Sequence, residues 1–401
     1  MPNSSEMRLM EQKRDFEADA LLAEASQRSG GLTEFGDASH RVALPVLLNS
    51  LDKEAKLSDA GRHLLRQRIV ELLTNRLRVE DYCKRHPSIL EERIEKPVVI
   101  VGLPRTGTTL LQRVLSCDPR LYPMLWWESR HPVPLADAAL GEPDPRIALA
   151  KAEVRMMIEA MPQLLSIHPL DAEQADEEVM LMEHSFHSAF DAFGNVPGYM
   201  AWQAEQDPAQ AYAYLKKLLQ FLQWQKRRRG VTAERWVLKT PNHLPTMAAL
   251  FEVFPDATVI QCHRDPLQTI PSLCSFIHTL WCIYSDQVDP AAVGAHWSTK
   301  MAHALDNAMT VRDGMPPDRF HDVWFSDTVS RPMEVVRAIY SAIGMSLTED
   351  AAQRMQQWLT DNRREKRATH EYSATQFGLS EEQIKRDFAQ YRQRYVLPYA
   401  R

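Results

Sequence analysis

The stretch "PVVIVGLPRTGTTLLQRVL", Pro97 to Leu115, constrains the fold more than any other. Val98, Val99, Ile100 and Val101 form a short unbroken apolar run of β-branched residues. That is the pattern of a strand buried on both faces, as in a parallel sheet. Beyond a glycine-bounded loop, Leu110, Leu111, Val114 and Leu115 recur at helical spacing, so the unit reads strand, loop, helix. Backbone N–H groups in such a loop, aimed from a helix N-terminus, bind anions. Gly102 and Gly107 have the spacing of the nucleoside triphosphate loop G-x-x-x-x-G-K-[ST], and Thr109 provides its hydroxyl, but Thr108 stands where that loop has lysine. Arg105 lies inside the turn instead. Asp265, at another predicted strand end, directly follows Arg264 and makes a poor metal-holding acid. The loop therefore suits an anion of smaller charge than a triphosphate, held without Mg²⁺.

The same unit recurs. "RWVLK" (Arg235 to Lys239) reads as a strand, followed by a loop and a helix from about Leu244 to Val253. "ATVIQC" (Ala257 to Cys262) is a second buried strand, followed by "HRDP" and a helix opening at Pro266. "FHDVWF" (Phe320 to Phe325) is a fourth. Strands alternating with helices predict an α/β fold: a three-layer, P-loop-like architecture around a central parallel sheet with right-handed crossovers. Ligands on such sheets bind beyond the carboxyl ends of the strands, where the loops from Gly102, Lys239 and His263 should gather.

Residues 1–95 read as a helical N-terminal region, a cover or an oligomer contact, and 96–401 as the sheet-bearing domain with a mainly helical insertion at about 120–230. A first helix runs from about Glu6 to Gln27. Ser58, Thr348 and Ser380 are expected helix caps, the last with Gln383 in a capping box over a final helix reaching "QYRQRY". "QKRRRG", Gln225 to Gly230, suits a helix C-terminus. The net charge of −6 argues against a general nucleic-acid binder. The chain has no apolar run long enough for a membrane span, no secretory signal pattern, and five scattered cysteines without a C-x-x-C. These features predict a soluble cytoplasmic protein with reduced thiols.

Two motifs and one further segment then bear a resemblance. Pro104 to Thr109 match the pattern P-[KR]-[ST]-G-T-T of the 5′-phosphosulfate loop in sulfotransferases that use 3′-phosphoadenylyl sulfate (PAPS). "TVIQCHRDPLQTIPS" resembles the family's 3′-phosphate motif, a strand, then Arg264, then Ser272 eight positions later. "WVLKTPNHLP" resembles the segment carrying a family lysine, here Lys239. The likeness spans roughly residues 30 to 395 and is closest to the broad bacterial branch. It implies sulfuryl transfer from PAPS to a hydroxyl of a small-molecule acceptor, with release of adenosine 3′,5′-bisphosphate (PAP) and no metal. Arg105, Thr106, Gly107, Thr108 and Thr109 would hold the 5′ end of the donor, and Arg264 and Ser272 its 3′-phosphate. A kinase on the same scaffold and a non-catalytic nucleotide-binding protein are the other readings of these loops.

In-line transfer needs cations for the developing charge and a base for the acceptor proton. Arg105 and Lys239 are the expected cations. Glu128, in "LWWESRHP", and His243, in "LKTPNHLP", are the two candidate bases, and each departs slightly from the family's spacing. Arg363 and Arg367, in "DNRREKRATHEYS", are further candidates for donor contact, among Arg364, Lys366 and His370. His184 and His187, three apart with Glu177, Glu178 and Glu183 near, are read as pocket wall rather than metal ligands. The flanking Phe186, Phe190, Phe193, Tyr199 and Trp202 hint at an apolar, lipid-like acceptor.

Overall fold

A computed structural model describes residues 15–135, 143–162, 170–362 and 372–399. Strand β1, Val98–Gly102, is buried along its whole length. Val98, Val99, Ile100 and Val101 are each fully enclosed, and burying such a side chain contributes roughly 1.5–3 kcal/mol. β1 lies at the centre of a five-stranded sheet with β2 (Leu121–Pro123), β3 (Arg235–Lys239), β4 (Thr258–His263) and β5 (Phe320–Trp324), in the order β2-β3-β1-β4-β5. Every pairing is parallel. Four of these strands are legible as apolar runs. β2 is not: it has three residues, ends in Pro123, and falls in a segment whose pattern is helical. Its place at the sheet edge is where a proline is tolerated.

Register decides the site. Ile100 pairs with Lys239, Gly102 with Cys262, and His263 with Trp324. The carboxyl ends of β1, β3, β4 and β5 therefore emerge on one edge, and the loops leaving them are neighbours.

The described chain divides into two compact units. The first takes the described residues up to Glu92 with Leu181–Phe221 and Ile277–Asp289. Its helices Ala18–Arg28, Ser39–Lys53 and Asp59–Arg85 pack around Leu44, Leu47, Ile69 and Leu73. The first of these begins at Ala18, after an extended Glu17; the helix start expected near Glu6 lies outside the described residues. Phe186, Phe190 and Tyr199 are fully buried in this core, with Phe193 and Trp202 packed on it. The Tyr199 hydroxyl donates to the Phe186 carbonyl at 2.8 Å. Core packing thus accounts for the aromatic residues read as acceptor-pocket lining.

The second unit holds the sheet and its flanking helices. Leu111, Val114 and Leu115 of the helix Thr108–Leu115 pack with Val98, Ile100, Val237 and Ile260. Ser58, Thr348 and Ser380 each accept a hydrogen bond from a first-turn N–H, as their capping role requires. The final segment is two helices, Glu381–Asp387 and Ala389–Tyr395, divided at Phe388. Among the described residues, no helix is long and apolar enough to cross a membrane.

The helix Pro290–Asp313 approaches the turn Ala374–Phe377 closely at Gly294, where a Cβ would lie 2.0 Å from the Phe377 carbonyl oxygen. Gly294→Ala should lower stability by at least about 1–3 kcal/mol, the usual cost of overpacking. Gly314→Ala, whose Cβ would meet only the Val311 carbonyl oxygen at 3.6 Å, should be nearly neutral. Urea unfolding of both variants checks the contrast; equal losses would contradict this packing.

Candidate active site

The loop leaving β1 is shaped by its glycines. A Cβ on Gly102 would come within 2.6 Å of the Cys262 carbonyl oxygen and 2.7 Å of the Thr106 hydroxyl, so no side chain fits there. Gly107 caps the helix Thr108–Leu115 at φ 89°, a left-handed conformation glycine adopts without strain. Thr106 is fully buried, and its hydroxyl donates to the Leu103 carbonyl at 2.7 Å. It closes the turn rather than offering its proton to a ligand. Thr108 and Thr109 open the helix, whose N-terminal N–H groups and dipole favour an anion.

Arg105 has φ 74°, rare for a residue with a side chain. Its strained backbone is held from β4: the Arg264 Nη1 donates to the Arg105 carbonyl at 2.8 Å. The Arg105 Nε donates in turn to the Ser272 hydroxyl at 3.2 Å. Arg264 is oriented twice more, by donation from Nε to Gln268 at 2.9 Å and by stacking over Phe325 at 4.0 Å. Arg105, Arg264 and Ser272, separated in sequence by up to 167 residues, form one connected group. Ser272 lies on the helix Pro266–Tyr284, which continues through Pro271.

Lys239 ends β3 with a fully buried side chain. Its Nζ is 2.8 Å from Glu177 Oε1, and the other Glu177 oxygen accepts from the Thr240 hydroxyl at 3.1 Å. Glu178 accepts from the Lys239 backbone N–H at 2.8 Å, and its second oxygen lies 2.6 Å from His243 Nε2. The side chains of Glu178 and His243 are both enclosed completely. These two glutamates escaped the sequence reading as site residues, because pairings across 61 to 65 positions leave no local signal. His184, grouped with them by sequence, turns instead to the Leu181 carbonyl and Asn75.

Glu128 stands apart from this group. Lys226 contacts both its oxygens at 2.6 and 2.7 Å, and the Leu125 N–H donates to it at 3.2 Å. Lys226 lies in the last turn of the helix Ala209–Arg228, so the expected helix end also provides a buried counter-ion. Arg363 and Arg367 lie outside the described residues, as do Arg364, Lys366 and His370.

Behind Arg264 a buried polar network fixes the end of β4. His263 lies 2.8 Å from Asp322 and 3.0 Å from the Tyr391 hydroxyl, and its ring stacks on Tyr395 at 4.4 Å. Arg312 donates to both Asp322 oxygens at 2.5 and 2.7 Å. Asp265 receives Arg392 through two bonds of 3.0 Å. Burial pushes His263 below its ordinary value, so the ring is neutral near pH 7 and donates its Nε2–H to Asp322. Burial alone would raise the Asp322 carboxyl, but the bonds from His263 and Arg312 hold it well below the usual carboxylate range.

The sulfotransferase family's sequence profile matches residues 97–350, and the chain belongs to the sulfotransferase family. It is 26% identical over 299 residues to Stf3, the omega-hydroxy-beta-dihydromenaquinone-9 sulfotransferase of Mycobacterium bovis, covering 72% of this chain and 73% of that one. The same figures hold for Stf3 of Mycobacterium tuberculosis. Among solved structures it resembles sulfotransferase STF9 of Mycobacterium avium, with a TM-score of 0.84, 29% identity, and 94% and 96% of the two chains covered. Sulfotransferase STF1 of Mycobacterium tuberculosis H37Rv superposes with a TM-score of 0.81 at 29% identity, over 93% and 98% of the chains.

The lowered Asp322 carboxyl has a stability consequence. A depressed carboxylate stabilises the fold above its unfolded value and loses that contribution as pH falls towards its folded value. Asp322→Asn should therefore lower Tm at pH 7, and the gap to the unmodified chain should narrow as pH falls below about 4, the unperturbed carboxylate value. Thermal unfolding across pH checks this; a gap that widens in acid would contradict it.

Proposed function

We propose that this chain transfers a sulfuryl group from PAPS to a hydroxyl of a small, apolar or lipid-like acceptor and releases PAP. The observation that carries the reading is the connected group Arg105, Arg264 and Ser272 beside the helix N-terminus at Gly107. PAPS has two separated anionic ends, and we assign them to the helix N-terminus at Gly107 and to the Arg264 and Ser272 pair. The loop from Pro104 to Thr109 would take the 5′-phosphosulfate, since a side chain at Gly102 would collide with the loop and β4. Arg264 and Ser272 would take the 3′-phosphate; a fixed guanidinium suits a phosphate because its charge is permanent and its donors are forked. PAPS supplies an activated sulfuryl group when bound.

The chain's own groups do the rest. Arg105 and Lys239 offset charge as it develops, most strongly where water is excluded. His243 accepts the acceptor's hydroxyl proton. Because Lys239 and His243 lie beneath the surface, substrate access requires the Glu177 contact to Lys239 to open. In this reading Glu128, bound to Lys226, anchors the turn at Leu125 and takes no proton from the acceptor. Support for an apolar acceptor comes from the relatives, since Stf3 is named for a hydroxylated menaquinone derivative.

Arg264→Ala should weaken PAP binding by tenfold or more while weakening AMP, which lacks the 3′-phosphate, only slightly. Calorimetric titration of both nucleotides reads the difference, and equal losses would remove Arg264 from the 3′ site. His243→Asn should lower kcat for PAP release from PAPS and a long-chain alcohol by about 10²–10⁴, the usual range for a general base. Glu128→Gln should cost stability instead, about 3–5 kcal/mol for a buried cation left unpaired. A large kcat loss in a stable Glu128→Gln protein would reverse the two assignments.

A further inference from the structure

Arg264 is held through its own side chain and also through its two neighbours. His263, before it, lies 3.0 Å from the Tyr391 hydroxyl and stacks on the Tyr395 ring. Asp265, after it, receives Arg392 at both oxygens, each at 3.0 Å. Tyr391, Arg392 and Tyr395 all lie on the helix Ala389–Tyr395. The Trp324 indole at the end of β5 donates to the Tyr395 carbonyl at 2.8 Å and ties that helix to the sheet. One short helix, 127 positions on in the case of Asp265 and Arg392, thus clamps the residues on either side of Arg264.

Asp265 brings a charge of the wrong sign to this place. Its Oδ1 also accepts the Leu267 N–H at 3.0 Å, and so caps the helix Pro266–Tyr284. The cap sets a carboxylate next in the chain to the guanidinium assigned to the 3′-phosphate, with Cα atoms about 3.8 Å apart as between any consecutive residues. Left unpaired, that carboxylate would repel the phosphate and compete with it for Arg264. Water would screen it poorly, because the Asp265 and Arg392 side chains are only 21% and 13% exposed. Arg392 offsets the charge through Nε and Nη2 together, the forked pairing that a planar guanidinium makes with a carboxylate. We propose that Arg392 is a positioning residue of the 3′-phosphate site: it neutralises Asp265 and keeps it off Arg264, so that the phosphate meets net positive charge. This rests on the sulfuryl-transfer reading above. It adds a residue that the sequence reading placed only in a final helix.

The test is calorimetric titration of the full chain and its variants with PAP and with AMP, which lacks the 3′-phosphate. Arg392→Ala should weaken PAP binding at least fivefold and AMP binding less than twofold. Adding Asp265→Asn, whose amide can still cap the helix, should return PAP affinity to within twofold of the unmodified chain. A merely structural role for Arg392 would weaken both nucleotides alike, and that result would overturn the proposal. So would a double variant that binds PAP no better than Arg392→Ala does. If Arg392→Ala fails to fold, the double variant, which leaves neither charge unpaired, decides by itself. PAP affinity within twofold of the unmodified chain supports the proposal, and a selective loss of PAP overturns it. The unmodified chain keeps the two readings apart. Its failure to bind PAP would count against sulfuryl transfer, whereas PAP binding with equal losses in Arg392→Ala would count against Arg392 alone.

Discussion

The site depends on β1 lying buried between β3 and β4 in parallel register. That pairing sets Gly102 against Cys262 and Ile100 against Lys239. Because the strands run the same way, their carboxyl ends and the loops beyond them share one edge. A glycine is needed at the end of β1 because β4 passes too near for a side chain. The loop that follows can then turn into the helix Thr108–Leu115 and point N–H groups outward. Had β1 paired antiparallel with either neighbour, Arg105, Lys239 and Arg264 would leave opposite edges of the sheet.

Charge at this edge is held in place before any ligand arrives. Arg264 is fixed by a carbonyl, an amide and an aromatic ring, and through the Arg105 carbonyl it also supports the strained residue beside it. Lys239 and His243 each have a dedicated carboxylate, from adjacent residues of one segment. The connected group of Arg105, Arg264 and Ser272 needs little reorganisation during reaction, which is where preorganised electrostatics exceed what water can offer. The network of His263, Asp322 and Arg312 behind Arg264 carries the same logic one layer deeper.

Much of this was legible in the sequence. Two strands announce themselves as short β-branched runs, Val98 to Val101 and Thr258 to Ile260, two more as short stretches rich in apolar and aromatic residues, and the caps Ser58, Thr348 and Ser380 as polar residues ahead of helical periodicity. Arg105, Arg264 and Ser272 were singled out by motif spacing, and the structure brings them into contact. What stayed hidden has a common cause. β2 is too short to show a period and pairs with β3, more than a hundred positions on. Glu177 and Glu178 look like solvent-facing acids until the fold carries them to Lys239 and His243. Lys226 reads as a helix-end cation, yet it is the buried partner of Glu128. The aromatic cluster around Phe190 misled in the opposite sense, because rings that fill a core and rings that line a pocket have the same spacing in sequence.

The central claim is that the loop from Gly102 to Thr109 holds the phosphosulfate end of a 3′-phosphorylated nucleotide and not a triphosphate. Calorimetric titration of the unmodified chain with PAP, and separately with ATP and Mg²⁺, tests it most directly. The account predicts saturable PAP binding that needs no metal, and none for ATP with Mg²⁺. Binding of ATP with Mg²⁺ in preference to PAP would contradict it, and with it the roles given to Arg105, Arg264 and Ser272.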